Sequence, residues 1–99
     1  MGVEVGELGN ISGKEAVNAF GRAGWIVRGQ VGSHVMMTKD GVRVNLSIPQ
    51  HRELSVGTLR KLIRLSGMTV GEFVKLLWAS HLRESTAFRV ARAVEVANI

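Results

Sequence analysis

The stretch that decides the fold runs from Trp25-Ile-Val-Arg-Gly-Gln-Val31 through Gly32-Ser-His34-Val-Met-Met-Thr38 to Lys39-Asp-Gly41-Val-Arg-Val-Asn-Leu-Ser-Ile48-Pro49. Apolar residues recur there at every second position, the period of strands with one buried face. In the first segment Trp25, Val27 and Val31 share one face, and Ile26, Arg28 and Gln30 the other. Gly32-Ser33 predicts a tight turn. In the second segment Val35 and Met37 point one way, and His34, Met36 and Thr38 the other. Asp40-Gly41 is a hairpin signal, because both residue types tolerate the positive φ that tight hairpin turns demand. The third segment places Val42, Val44, Leu46 and Ile48 inward and Arg43, Asn45 and Ser47 outward, and Pro49 ends it.

Outward from this meander the period becomes helical. Ser12-Gly-Lys-Glu15 is a capping box, with Ile11 placed to staple onto the first turn. Ala16, Val17 and Phe20 then share a helical face, with Lys14, Asn18 and Arg22 away from it, and Gly24 suits a left-handed helix end. Downstream, a polar loop over residues 49–56 holds His51 and Arg52. A helix is expected from Thr58, with Leu59, Leu62 and Ile63 opposite Arg60, Lys61 and Arg64, closed by Gly67. A second capping box, Thr69-Val-Gly-Glu72, opens a helix burying Val70, Phe73, Val74 and Leu77.

The predicted fold is therefore α+β, in the order α-β-β-β-α, plus an extra C-terminal helix or tail. Helices 12–23 and 58–66 cover one face of a three-stranded antiparallel sheet. The other face is open and carries Arg28, Gln30, His34, Thr38, Arg43, Asn45 and Ser47. Residues 1–10 form a flexible leader, residues 11–82 the domain, and residues 83–99 a C-terminal extension. Phe88, Ala91 and Val94 in that extension predict a helix that packs on the core or mediates self-association.

Composition bounds the function. A chain of 99 residues makes one domain with a small core. With no cysteine, disulfides and thiolate metal sites are excluded. No run is long and apolar enough to span a membrane, and the acidic start lacks the basic region of a secretory signal. A cytoplasmic location and no membrane partner are expected. The net charge is +5, divided as −2 over residues 1–10, +6 over 11–82 and +1 over 83–99. A basic domain of this kind suits a polyanionic partner such as RNA.

His34 is the candidate catalytic residue. An imidazole titrates near neutral pH and can take a proton from a ribose 2′-hydroxyl. RNA carries its own nucleophile in that hydroxyl, so one histidine among cations suffices for cleavage without a metal. A histidine at a strand start also commonly just faces solvent. Arg28 and Arg43, on the flanking strands, are expected beside His34 to hold the phosphate. The three histidines lack ligand spacing and carboxylates are few, so no metal site is expected. No Walker loop or dinucleotide fingerprint is present, so no cofactor is expected either.

These segments resemble the HicA (YcfA-like) family of toxins from type II toxin–antitoxin pairs. The likeness rests on Ile11-Ser-Gly-Lys-Glu15, Phe20, Ala23-Gly-Trp25, Gly32-Ser-His34-Val-Met36, Ile48-Pro-Gln-His51, Gly57-Thr-Leu-Arg60, Ile63, Ser66-Gly67 and Thr69-Val-Gly-Glu-Phe73. It covers about residues 11–77. The resemblance implies a fold similar to a double-stranded-RNA-binding domain, ribosome-independent mRNA cleavage, and inhibition by a HicB-type antitoxin. It places the family's catalytic histidine at His34 and its second histidine motif at His51. RNA contacts are expected from Lys14, Arg28, Ser33, Arg43, His51, Arg52, Arg60 and Lys61. The alternatives are a non-catalytic RNA-binding module on the same fold, or a protein-interaction domain.

Overall fold

A computed structural model describes residues 8–82. The elements are α1 (Gly13–Arg22), β1 (Ile26–Val31), β2 (His34–Thr38), β3 (Leu46–Pro49), α2 (Val56–Ser66) and α3 (Val70–Leu82). The strands form one antiparallel sheet in the order β1-β2-β3. This is the α+β arrangement expected of a fold similar to a double-stranded-RNA-binding domain, with a further helix at the C-terminal end. The first part of the leader and the extension 83–99 lie outside the described residues.

Side-chain alternation in the central strand sets the layers. Val35 and Met37 of β2 are buried, as are Leu46 and Ile48 of β3. Ala16, Ala19 and Phe20 of α1 and Leu59, Leu62 and Ile63 of α2 join them in one apolar cluster. Both helices therefore cover the same face of the sheet. The third helix packs mainly on α1 rather than on the sheet. Phe20 and Phe73 make that contact with ring centroids 5.0 Å apart and planes tilted by 46°, an arrangement favoured by the ring quadrupoles. Leu8, at the end of the supposed leader, is fully buried in the same cluster.

The helix ends follow the sequence closely. Ser12 Oγ accepts from the Glu15 N–H and Glu15 Oε1 accepts from the Ser12 N–H, each at 3.0 Å. Thr69 and Glu72 repeat the exchange at 3.1 and 2.8 Å. Those hydrogen bonds from Thr69, backbone first, hold the Glu72 carboxyl below its ordinary range. That cap thus contributes at neutral pH and weakens as acid protonates the carboxylate. Gly67 ends α2 in the left-handed conformation at φ 82°. The second helix starts at Val56, two residues before Thr58, because Ser55 caps it by accepting from the Thr58 N–H at 3.1 Å.

Two strand expectations need correction. The register of β1 on β2 shifts between Val27↔Met37 and Gly29↔Met36, so Arg28 is an extra, bulged residue. A bulge reverses the alternation beyond it. Val31 consequently lies opposite His34 on the open face, whereas Gln30 lies opposite Val35 on the helix side. The third strand is also shorter than the alternation suggests. Its pairing begins at Met37↔Leu46, and residues 42–45 are outside the sheet. Asp40-Gly41 does turn the chain, with Gly41 at φ 80° and the Val42 N–H donating to Lys39 C=O at 3.1 Å. It turns inside a longer connection, however, rather than closing a two-residue hairpin. Val42 is drawn onto the core and Val44 is left exposed.

Gly13 marks a close seam between α1 and the end of β3. A Cβ there would overlap the Pro49 carbonyl oxygen and lie 2.8 Å from Gln50 Cα. Gly21, in the same helix, has nothing within 4 Å of its Cβ position. Gly13→Ala should therefore lower stability by about 1–3 kcal/mol through overpacking. Gly21→Ala should instead raise it by up to about 1 kcal/mol, because alanine is the better helix former. Thermal denaturation of the two variants checks the opposite signs.

Candidate nucleic-acid interface and active site

The end of the sheet at His34 is built by three main-chain contacts. The two-residue turn Gly32-Ser33 joins Val31 to His34, with Gly32 at φ 58°. His34 lies opposite Val31 on one side and Pro49 on the other. Ser33 C=O accepts from the Gln50 N–H at 2.6 Å, which carries the pairing one residue past β3. His51 C=O then accepts from the Gly13 N–H at 2.9 Å, tying the loop to the start of α1. Farther along, the Leu54 N–H donates to Ile11 C=O at 2.7 Å. The loop after β3 is thus bound to the β1–β2 turn on one side and to α1 on the other.

This geometry gathers Ser33, His34, His51 and Arg52 at one end of the domain, all with exposed side chains. Lys14 joins them because it follows Gly13 in the first turn of α1, and it too is exposed. The positive end of the α1 dipole lies on the same side. Lys61 approaches from α2. A groove of about 260 Å³ beside β3 is lined by Asn45, Ser47, Pro49, Thr58, Lys61, Leu62 and Leu65. One of its lining residues, Pro49, is the cross-strand partner of His34. Arg60 is exposed on the same helix.

Arg28 and Arg43 lie elsewhere. The bulge puts Arg28 beside Thr38, where its Nε donates to Thr38 Oγ1 at 3.0 Å. Thr38 is at the opposite end of β2 from His34, roughly 13 Å away at the rise of a strand. Arg43 sits in the connection before β3, beyond that same far end. Neither arginine flanks His34, because the pairing sets Val31 and Pro49 opposite it, and Arg28 lies three residues before Val31 and Arg43 six before Pro49. They enlarge the basic surface without facing the histidine.

Two contributors to the site were not singled out in the sequence. Gln50 supplies the N–H that fixes the loop on Ser33, and its side chain braces the turn by donating to Ile48 C=O at 3.1 Å. Gly13 permits the close approach of α1. A glycine directly after a helix N-cap is a signal that could have found it, since nothing in helix formation itself favours glycine there.

Another hollow, of about 420 Å³, opens between α1 and β1 and is lined by Val17, Asn18, Gly21, Arg22, Trp25, Val27 and Met37. It lies at the end of the sheet away from His34. Among the described residues no group of histidine, cysteine or acidic side chains is placed to hold a metal ion. None of the described helices is long and apolar enough to cross a membrane.

No curated protein matches the chain. The family model described as HicA toxin of bacterial toxin–antitoxin matches residues 13–68. That span is more than half of the chain. It opens at the Gly13 seam, contains His34 and the loop bound to it, and closes just past the Gly67 cap. With the expected α-β-β-β-α order in place around that span, the chain belongs to the HicA toxin family of bacterial toxin–antitoxin systems.

Proposed function

We propose that this toxin is a metal-independent endoribonuclease that cuts mRNA with His34 as its general base and is neutralised by a HicB-type antitoxin. The observation that carries the reading is the position of His34. It is exposed at the end of the central strand, on the sheet face opposite α1 and α2, at the end of the domain that also holds Lys14, His51 and Arg52. An imidazole there can remove the proton from a ribose 2′-hydroxyl, and the oxygen then attacks the adjacent phosphorus. Lys14 and Arg52 supply positive charge toward the phosphate oxygens, where charge builds up in the transition state. Lys61 and Ser47, along the groove beside β3, extend the contact to neighbouring phosphates or 2′-hydroxyls. Arg28, Arg43 and Arg60 add longer-range attraction, which steers a polyanion without selecting its sequence. The substrate and the antitoxin are both met in the cytoplasm under this reading.

The fixed backbone around His34 supports such a role. The Ser33–Gln50 and Gly13–His51 hydrogen bonds hold the flanking main chain in place before any RNA arrives. A group that is already positioned loses little further freedom when the substrate binds.

His34→Ala should leave the fold intact, because the side chain is exposed and its neighbours are held through backbone atoms. RNA affinity at fixed salt should change little, whereas cleavage should fall by about 10²–10⁴-fold. Induction of the wild-type chain should arrest growth and induction of His34→Ala should not. Equal toxicity and equal cleavage by the two proteins would contradict the assignment, and binding without cleavage by both would favour a non-catalytic RNA-binding module.

Cleavage by the purified protein should also persist in excess chelator. Loss of activity with chelator and its return with a divalent ion would contradict the metal-independent route.

A further inference from the structure

We infer that His51 is the general acid of the same reaction, the partner of His34 across the scissile phosphate. The inference rests on the RNA-cleaving reading above and adds a second catalytic residue to it. In-line displacement puts the attacking 2′-oxygen and the departing 5′-oxygen on opposite sides of phosphorus. A single imidazole cannot serve both sides at once, so an efficient site holds a second proton carrier at a set distance from the first.

The fold supplies such a pair. His34 lies opposite Pro49 in the antiparallel ladder, a pairing that puts their Cα atoms roughly 4.5–5.5 Å apart. His51 is two residues farther on, which adds at most about 7 Å of chain. The two imidazoles therefore belong to one end of the sheet, one on the open strand face and the other beyond the end of β3. Both are exposed. The main chain carrying His51 is nonetheless held tightly. The Gln50 N–H is bound at 2.6 Å, His51 C=O is bound at 2.9 Å, and the Gly13 seam leaves no slack between Gln50 and α1. An exposed histidine on backbone this constrained has a set location but a free ring, as proton delivery to a bound substrate requires.

The step balances without any other reactant. His34 takes the 2′-hydroxyl proton as the 2′-oxygen–phosphorus bond forms. The phosphorus–5′-oxygen bond breaks, and the leaving oxygen takes a proton from the His51 imidazolium. The products are a 2′,3′-cyclic phosphate and a 5′-hydroxyl end. His34 is left protonated and His51 neutral, and exchange with water restores both.

The test uses two RNA substrates that differ only at the scissile linkage, one with the normal 5′-oxygen and one with a bridging 5′-sulfur. A thiolate leaves without protonation, so the sulfur substrate does not need a general acid. His51→Ala and His51→Asn should cut the normal linkage about 10²–10⁴-fold more slowly than wild type. Both should cut the sulfur linkage at close to the wild-type rate. His34→Ala should be slow on both, since the base is still required. A His51 variant within a few-fold of wild type on the normal linkage would overturn the proposal. So would equal losses on the two substrates, which would make His51 a phosphate contact instead. A wild-type protein that cuts neither substrate would overturn the RNA-cleaving reading itself, and this role with it.

Discussion

The close approach of α1 to the end of β3 is the constraint on which the rest depends. Gly13 has no Cβ, so the helix start can press against Pro49 and Gln50 and donate its N–H to His51 C=O. This one seam fixes three things together. It sets the height of α1 over the sheet, it sets the course of the loop after β3, and it locates that loop beside His34. A helix starting with any larger residue would stand farther off, and the loop would lose its hold on one side.

The core supports this seam from beneath. Phe20 and Phe73 are both fully buried and couple α1 to α3. Alternation in β2 then does double duty. Val35 and Met37 anchor the strand to the helices, and the same period turns His34, Met36 and Thr38 toward the open face. A strand that served only for packing would need just the first set.

Much of this was legible in the sequence because the signals are local. Both capping boxes, the Gly67 helix end and the two faces of β2 follow from side chains within a few residues of one another. His34 could be placed on the open face because the central strand has an undisturbed period. The bulge at Arg28 was not legible, since a bulge is a property of the register between two strands and the sequence of one strand does not encode it. It misplaced Gln30 and Val31, whereas Arg28 and Arg43 stand away from His34 because the registers set Val31 and Pro49 opposite it. Ser55, which caps α2 one turn earlier than the apolar pattern from Thr58 suggests, precedes a glycine at position 57 that gives the start of the helix no periodic apolar mark. Assembly of the candidate site depends on long-range backbone hydrogen bonds, Gln50 to Ser33 and Gly13 to His51, for which a sequence carries no direct mark.

The proposed function of this member of the HicA toxin family rests on the chemistry at one end of the sheet. The claim at its centre is that the RNA itself provides the nucleophile and the protein only moves protons and holds phosphate. The most direct measurement is cleavage of an RNA in which the ribose 5′ to the cut carries 2′-deoxy in place of the 2′-hydroxyl. The account predicts that the wild-type protein binds this RNA as well as the parent but does not cut it at that linkage. Cleavage of the deoxy-substituted linkage at the parent rate would contradict it, because the attacking oxygen would then have to be water.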